Sequence, residues 1–145
     1  NEEFAFVTHC TMADPRWLDP SIDPNDRIPG TCYLGDPKVV NNGPVGLARF
    51  CTLRSWLSQW SFDDANVCGP TSLASVSKPV LVVGNTADDA CTPSHTDTLF
   101  DAVTHERKAK IEIKGANHYY MGQPELATQA TGAVLDWLRD YDFPV

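Results

Sequence analysis

The run Val80-Leu81-Val82-Val83, fenced by Pro79 and Gly84, constrains this chain more than any other stretch. Aliphatic side chains without a wet position between them read as a strand covered on both faces, the pattern of a parallel sheet. After a polar loop, Ser94 to Val103 is predicted to be helical, with Leu99, Phe100 and Val103 on one side. Ala109-Lys110-Ile111-Glu112-Ile113-Lys114 then alternates strictly, which predicts a strand with one dry and one wet face. The order is β-loop-α-β, and that order implies parallel strands joined by a right-handed crossover.

Chemistry-bearing residues collect where such a unit puts its ligands, outside the carboxyl ends of the strands. The first loop, Asn85 to Pro93, carries Asp88 and Asp89, and the second, Gly115 to Tyr120, carries His118. An imidazole needs a carboxylate on one nitrogen to hold its tautomer, so that the other nitrogen is free to take a nucleophile's proton. Each signal alone is ordinary, since a loop histidine is often just a satisfied polar residue and Asp-Asp before Pro is often a turn. Together, at the ends of two adjacent strands, they favour a catalytic pair.

Asp89-Ala90-Cys91-Thr92-Pro93 and Gly115-Ala116-Asn117-His118 resemble the late acid and histidine segments of α/β-hydrolases, Asp-x-x-x-Pro and Gly-x-x-His. The resemblance implies an α/β fold: the C-terminal part of an α/β-hydrolase, with parallel strands, flanking helices and an N-terminal lid or cap-like region. It makes Asp89 the acid and His118 the base of a triad that runs Ser, acid, His in chain order. Asp88 is the alternative acid, because only the four-residue distance to Pro93 favours Asp89. The family's Gly-x-Ser-x-Gly elbow is absent around all eight serines. Together with an N-terminus at Asn1 and no initiator Met, this raises the expectation that the nucleophile belongs to a missing N-terminal half.

The segments divide into 1–77, a lid or cap-like region with a connector, and 78–145, the C-terminal strands and helices. Four Asp-Pro steps, at 14–15, 19–20, 23–24 and 36–37, break helices and force turns or extended backbone. Trp17, Leu18, Ile22 and Tyr33 give this excursion something to bury, as a lid over a site has and a bare linker has not. Pro44 to Trp60 is predicted as a helix capped by Asn42 or Gly43, with Leu47, Phe50, Leu53, Leu57 and Trp60 on one stripe. That stripe reads as core packing in preference to an aromatic pocket of Phe50, Trp56 and Trp60. A short helix is expected around Ser72 to Val76. The last helix starts at Gln123-Pro124 and runs to about Asp140, burying Leu126, Ala130, Ala133, Val134, Trp137 and Leu138.

A net charge of −8 with 11 basic residues argues against nucleic acid and anionic membrane surfaces as partners, and no apolar run approaches the length of a membrane span. Five cysteines without short repeated spacings read mostly as free thiols in a reducing, cytoplasmic setting, with one bridge left open. No cofactor is expected, because neither Gly-rich phosphate motif occurs. A metal is not expected either: Cys91 and His95 lie four apart with His105 nearby, but no His-Glu-x-x-His accompanies them. Cys91 as a nucleophile would crowd the pair from the acid's own loop.

The reading is a serine hydrolase segment of esterase, amidase or peptidase type, acting on a small-molecule or peptide substrate. Alternatives are an Asp nucleophile, as in dehalogenases or epoxide hydrolases, and a non-catalytic binding or assembly module. Val80 to Val83 calls for strand neighbours on both edges where only one is evident. The chain is therefore expected to associate with the nucleophile-bearing half or with itself.

Overall fold

The computed structural model describes residues 4–7, 15–42 and 50–141. Its centre is a parallel pair, β3 (Val80–Asn85) and β4 (Lys108–Ile113), in register from Val80 opposite Lys108 to Asn85 opposite Ile113. The helix α4 (Pro93–Ala102) connects them, and α5 (Pro124–Asp140) follows. The chain is mixed α/β with a small parallel sheet and helices, as the alternation of strand and helix signals predicts.

Side-chain alternation puts the two helices on opposite faces of the pair. On one face, Val83 and Ile113 pack with Ala116 and with Leu126 and Ala130 of α5. Full burial of Ile113 stabilises the fold by about 1.5–3 kcal/mol. On the other face Gly84 lies against α4 so closely that a Cβ there would stand 3.2 Å from the Thr96 methyl. Lys110 and Glu112 share that face, and Lys110 pairs with Asp97 of α4. The wet side of the alternating strand is thus a polar seam under a helix.

Val80 to Val83 are half-buried rather than fully covered. Among the described residues β3 is hydrogen-bonded on the β4 side only, which leaves its side chains less covered than those of a central strand. The short helix α3 (Gly69–Leu73) begins slightly before its expected position and packs on α4.

The segment expected as one long helix from Pro44 is organised differently. Pro44 to Arg49 lie outside the described residues, Phe50–Thr52 forms strand β2, and only Leu53–Gln59 is helical, as α2. Thr52 stops the helix from extending backwards, because its extended backbone and its hydroxyl, which accepts from Ser55 N at 3.2 Å, make it the N-cap. Strand β1 (Ala5–Val7) pairs antiparallel with β2, Ala5 opposite Thr52 and Val7 opposite Phe50. The apolar stripe is not core: Phe50 is 73% exposed, and Leu53, Leu57 and Trp60 are also exposed.

Residues 15–36 form a strap of turns, starting with a 3-10 turn at Pro15–Trp17 and ending before the short helix α1 (Pro37–Asn42). Trp17 and Cys32 are buried together, with Tyr33 and Val40 against them. Leu18 and Ile22, also expected to be buried, are exposed. Polar bonds do most of the work. The buried Arg27 guanidinium donates to the carbonyls of Arg16, Ile22 and Asp23 and to Asn25 Oδ1.

Candidate active site

The acid loop leaves β3 and the histidine loop leaves β4 side by side, and hydrogen bonds stitch them together. Thr86 N donates to Ile113 O and Ala87 N to Ala116 O, extending the parallel pairing past the strands. Asn85 Nδ2 donates to Asn117 O, and Tyr120 Oη donates to Asn85 Oδ1 at 2.7 Å. Gly115 turns the chain with φ of 74°, a backbone that favours glycine, and its N–H donates to Thr86 Oγ1. Gln123, just before α5, donates to Gly115 O and accepts from Asn117 N, fixing the histidine loop to the last helix.

The acid that meets His118 is Asp88. Its Oδ2 lies 2.9 Å and its Oδ1 3.1 Å from His118 Nδ1. Oδ1 also accepts from Ala90 N and Cys91 N, both at 2.7 Å, so the carboxylate is held by the turn it begins. An ionised carboxylate only accepts, so this contact fixes the proton on Nδ1 and leaves the lone pair on Nε2. Nε2 makes no hydrogen bond within the described residues, and the ring is 25% exposed while the Asp88 side chain is nearly buried.

Asp89, which the distance to Pro93 pointed to, does not touch the imidazole. It is 1% exposed, and its Oδ2 accepts from Leu34 N of the strap at 2.6 Å. Its Oδ1 has no hydrogen-bond partner among the described residues. The shift of one residue has a physical reason: the tight turn at Asp88 folds its side chain back over Ala90 and Cys91, on the histidine side. The next residue then faces the strap.

Tyr33 stands edge-on to His118 with ring centroids 5.4 Å apart, and Tyr119 does the same at 4.6 Å. Burial, with Cys91, Cys32, Tyr119 and Asp88 nearby, pushes the Tyr33 phenol up to about 12, so it stays neutral. Although Cys91 keeps an exposed face, partial burial of its thiol and then the Asp88 charge push the thiol up. Tyr33 was legible only as something the strap would bury. Nothing in its sequence neighbourhood signalled a contact with His118.

The strap is anchored at the start of α4 as well. Thr92 sits at the N-cap position, where its carbonyl accepts from His95 N but its side chain makes no cap bond, and Asp23 accepts from Ser94 N in place of the Thr92 hydroxyl. Arg16 donates to Thr92 Oγ1 and Ser94 Oγ and lies 3.6 Å from Asp23. Burial pushes the Asp23 carboxyl up, but bonds from Ser94 and Thr92, with the Arg16 charge, outweigh it and hold the carboxyl below its ordinary value. Asn25 Nδ2 donates to Asp88 O, tying strap to acid loop directly.

Cys91, His95 and His105 do not form a common cluster. Cys91 instead groups with Asp88 and His118, and His105 Nδ1 accepts from the nearby Arg107 N. No disulfide joins two described cysteines, and Cys10 lies outside the described residues. None of the eight serines, all of them described, donates to His118.

Fold and site together define a parallel β-loop-α-β unit that carries a carboxylate-oriented histidine under a polar strap. No family model, no curated protein and no solved structure matches the chain. Among the described residues no helix is long and apolar enough to cross a membrane.

Proposed function

We propose that Asp88 and His118 are the acid and base of a nucleophilic triad in an acyl-transfer hydrolase of the α/β-hydrolase type. The observation that carries the reading is the His118 Nδ1 to Asp88 contact at 2.9 Å at the ends of adjacent parallel strands, with Nε2 unbonded among the described residues. In that mechanism Nε2 takes the proton of an attacking hydroxyl, Asp88 stabilises the imidazolium, and His118 returns the proton to the leaving group. An acyl-enzyme is then hydrolysed by water. The resemblance of Gly115 to His118 to the histidine segment of this family supports the fold-level part of the proposal.

Among the described residues no serine bonds His118, and the nearby Cys91 thiol is pushed toward its protonated form, so we propose that the attacking hydroxyl and the oxyanion donors come from residues outside the described ones. The β3 edge, unpaired among the described residues, and the exposed stripe of Phe50, Leu53, Leu57 and Trp60 offer such residues a sheet edge and an apolar surface.

A fluorophosphonate probe, which reacts with activated serines, tests the reading. The 145-residue chain alone should stay unlabelled, and a longer natural form carrying the nucleophile should be labelled. His118→Ala in that form should remove the label. Labelling of a serine within these residues would overturn the external-nucleophile assignment. An active but unlabelled form would favour an Asp nucleophile.

A further inference from the structure

Cys91 brings a third kind of donor to the pair. One donor atom each from Asp88, Cys91 and His118 lie within 4.8 Å of one another, a trio not otherwise repeated among the described residues. A tetrahedral zinc ion, with bonds of about 2.0 Å to N and O and about 2.3 Å to S, spaces its ligand atoms roughly 3.3–3.6 Å apart. The 4.8 Å limit on their separations stands little more than about 1 Å beyond that spacing.

The outer contacts suit ligation. Asp88 Oδ1 is held by two backbone N–H groups, which leaves Oδ2 oriented toward His118 with a lone pair to give. Ligating carboxylates are commonly fixed in this way. Asp88 and Cys91 sit three residues apart on one turn, so two ligands are placed by the same piece of backbone. Cys91 is exposed and His118 partly so, which leaves a fourth position for water. Thiolate, imidazole and carboxylate together match borderline-soft zinc, whereas calcium and magnesium want oxygen alone.

We propose that Asp88, Cys91 and His118 form a binding site for a borderline-soft divalent cation such as zinc, and that its occupation switches off the acid–histidine pair. On binding, the Cys91 thiol releases its proton to solvent and its sulfur bonds the ion. His118 Nδ1 gives the ion its lone pair, and the ring proton moves to Nε2. One proton leaves per ion bound, with no change in oxidation state. A protonated Nε2 can no longer take a proton from a nucleophile. Binding stands without the hydrolase reading, and the switching-off rests on it.

Cobalt(II) is the probe. Titrating the 145-residue chain should give one equivalent of binding, with a thiolate-to-cobalt charge-transfer band in the near ultraviolet and tetrahedral visible bands, displaced by zinc. Cys91→Ser should abolish the charge-transfer band, and Asp88→Asn and His118→Gln should each weaken binding by at least about tenfold. Cys68→Ser, a change at an exposed thiol outside the trio, should leave everything unchanged. No band, or a band that survives Cys91→Ser or disappears with Cys68→Ser, overturns the site. If the band behaves as expected while zinc fails to inhibit a catalytically active longer form, the metal site stands and the switch is overturned.

Discussion

The 15–36 strap and the 79–140 unit are held in different ways. The unit is built on apolar periodicity: Val83, Ile113, Leu126 and Ala130 meet because strands alternate and helices repeat. The strap buries little beyond Trp17 and Cys32, and it is positioned by donors and acceptors: Arg27 within it, and Asn25, Asp23 and Leu34 on the acid loop and α4. Apolar pattern therefore fixes the strands and helices that carry Asp88 and His118. Hydrogen bonding fixes what covers them.

The neighbouring acids sit on either side of this division, and exchanging each for its amide gives the largest contrast. In a catalytically active form, Asp88→Asn should lower turnover by about 10⁴, because the amide no longer holds the Nδ1–H tautomer. On the chain itself, nitrogen NMR of His118 should show that tautomer in the native protein and its loss in the variant. Asp89→Asn should leave the His118 tautomer unchanged and weaken the strap instead, since Leu34 N–H loses a charged acceptor, a bond of about 1.5–3 kcal/mol. Equal effects of the two changes on His118 would erase the division.

Arg27→Ala comes next, because it removes the group to which the strap's carbonyls turn inward. With Asp23 O, Ile22 O and Arg16 O deprived of their donor, we expect a loss on the order of 3 kcal/mol. Hydrogen exchange should rise at Leu34 while the β3–β4 amides keep their protection. If exchange rises equally in both regions, strap and unit are one cooperative body and the comparison fails.

Acid provides a gentler separation. The Asp23 carboxyl lies below its ordinary value of 3.8 in the folded chain. Its contribution is therefore fully present above 3.8 and is lost as pH falls through the lowered folded value. The group is partly exposed, so the effect is screened and small. Exchange at Ser94 N–H, which Asp23 accepts, should accelerate in that window, and Asp23→Asn should flatten the dependence. An unchanged pH profile in the variant would show that another group is responsible.

Much of the unit was legible in the sequence because β3, α4, β4 and α5 obey one-dimensional rules, with bounds within a residue or two of those expected. The stripe from Leu47 to Trp60 was not, because periodicity shows which residues can share a face. It does not show whether any surface lies opposite, and the Thr52 cap cuts the stripe at β2. At the site, His118 was legible from its loop, and the doublet was narrowed to two acids. Which acid turns toward the ring depends on the Asp88 turn closing onto Ala90 N and Cys91 N, a three-dimensional fact that the distance to Pro93 does not encode.

The smallest expected effect lies where strap and site touch. Cys32 and Gly35 bond each other through both backbone pairs, and the two residues between them, Tyr33 and Leu34, have φ of 50° and 63°. Positive φ at both central positions is the pattern of a type I′ turn, which Asn-Gly adopts readily and Tyr-Leu does not. Two strained residues persist only where contacts offset the strain, and here those are Leu34 N–H on Asp89 and the Tyr33 ring on His118. Leu34→Gly keeps the N–H and, with its side chain already exposed, should stabilise the chain by up to about 1 kcal/mol in thermal denaturation. Tyr33→Asn eases the turn but removes a ring contact worth about 0.5–1.5 kcal/mol, so stability should change little. The His118 ring resonances should shift and broaden as the imidazole loses one wall, and turnover in an active form should fall several-fold. Unchanged His118 resonances in Tyr33→Asn would make the strain a feature of the strap alone, with no part in setting the imidazole.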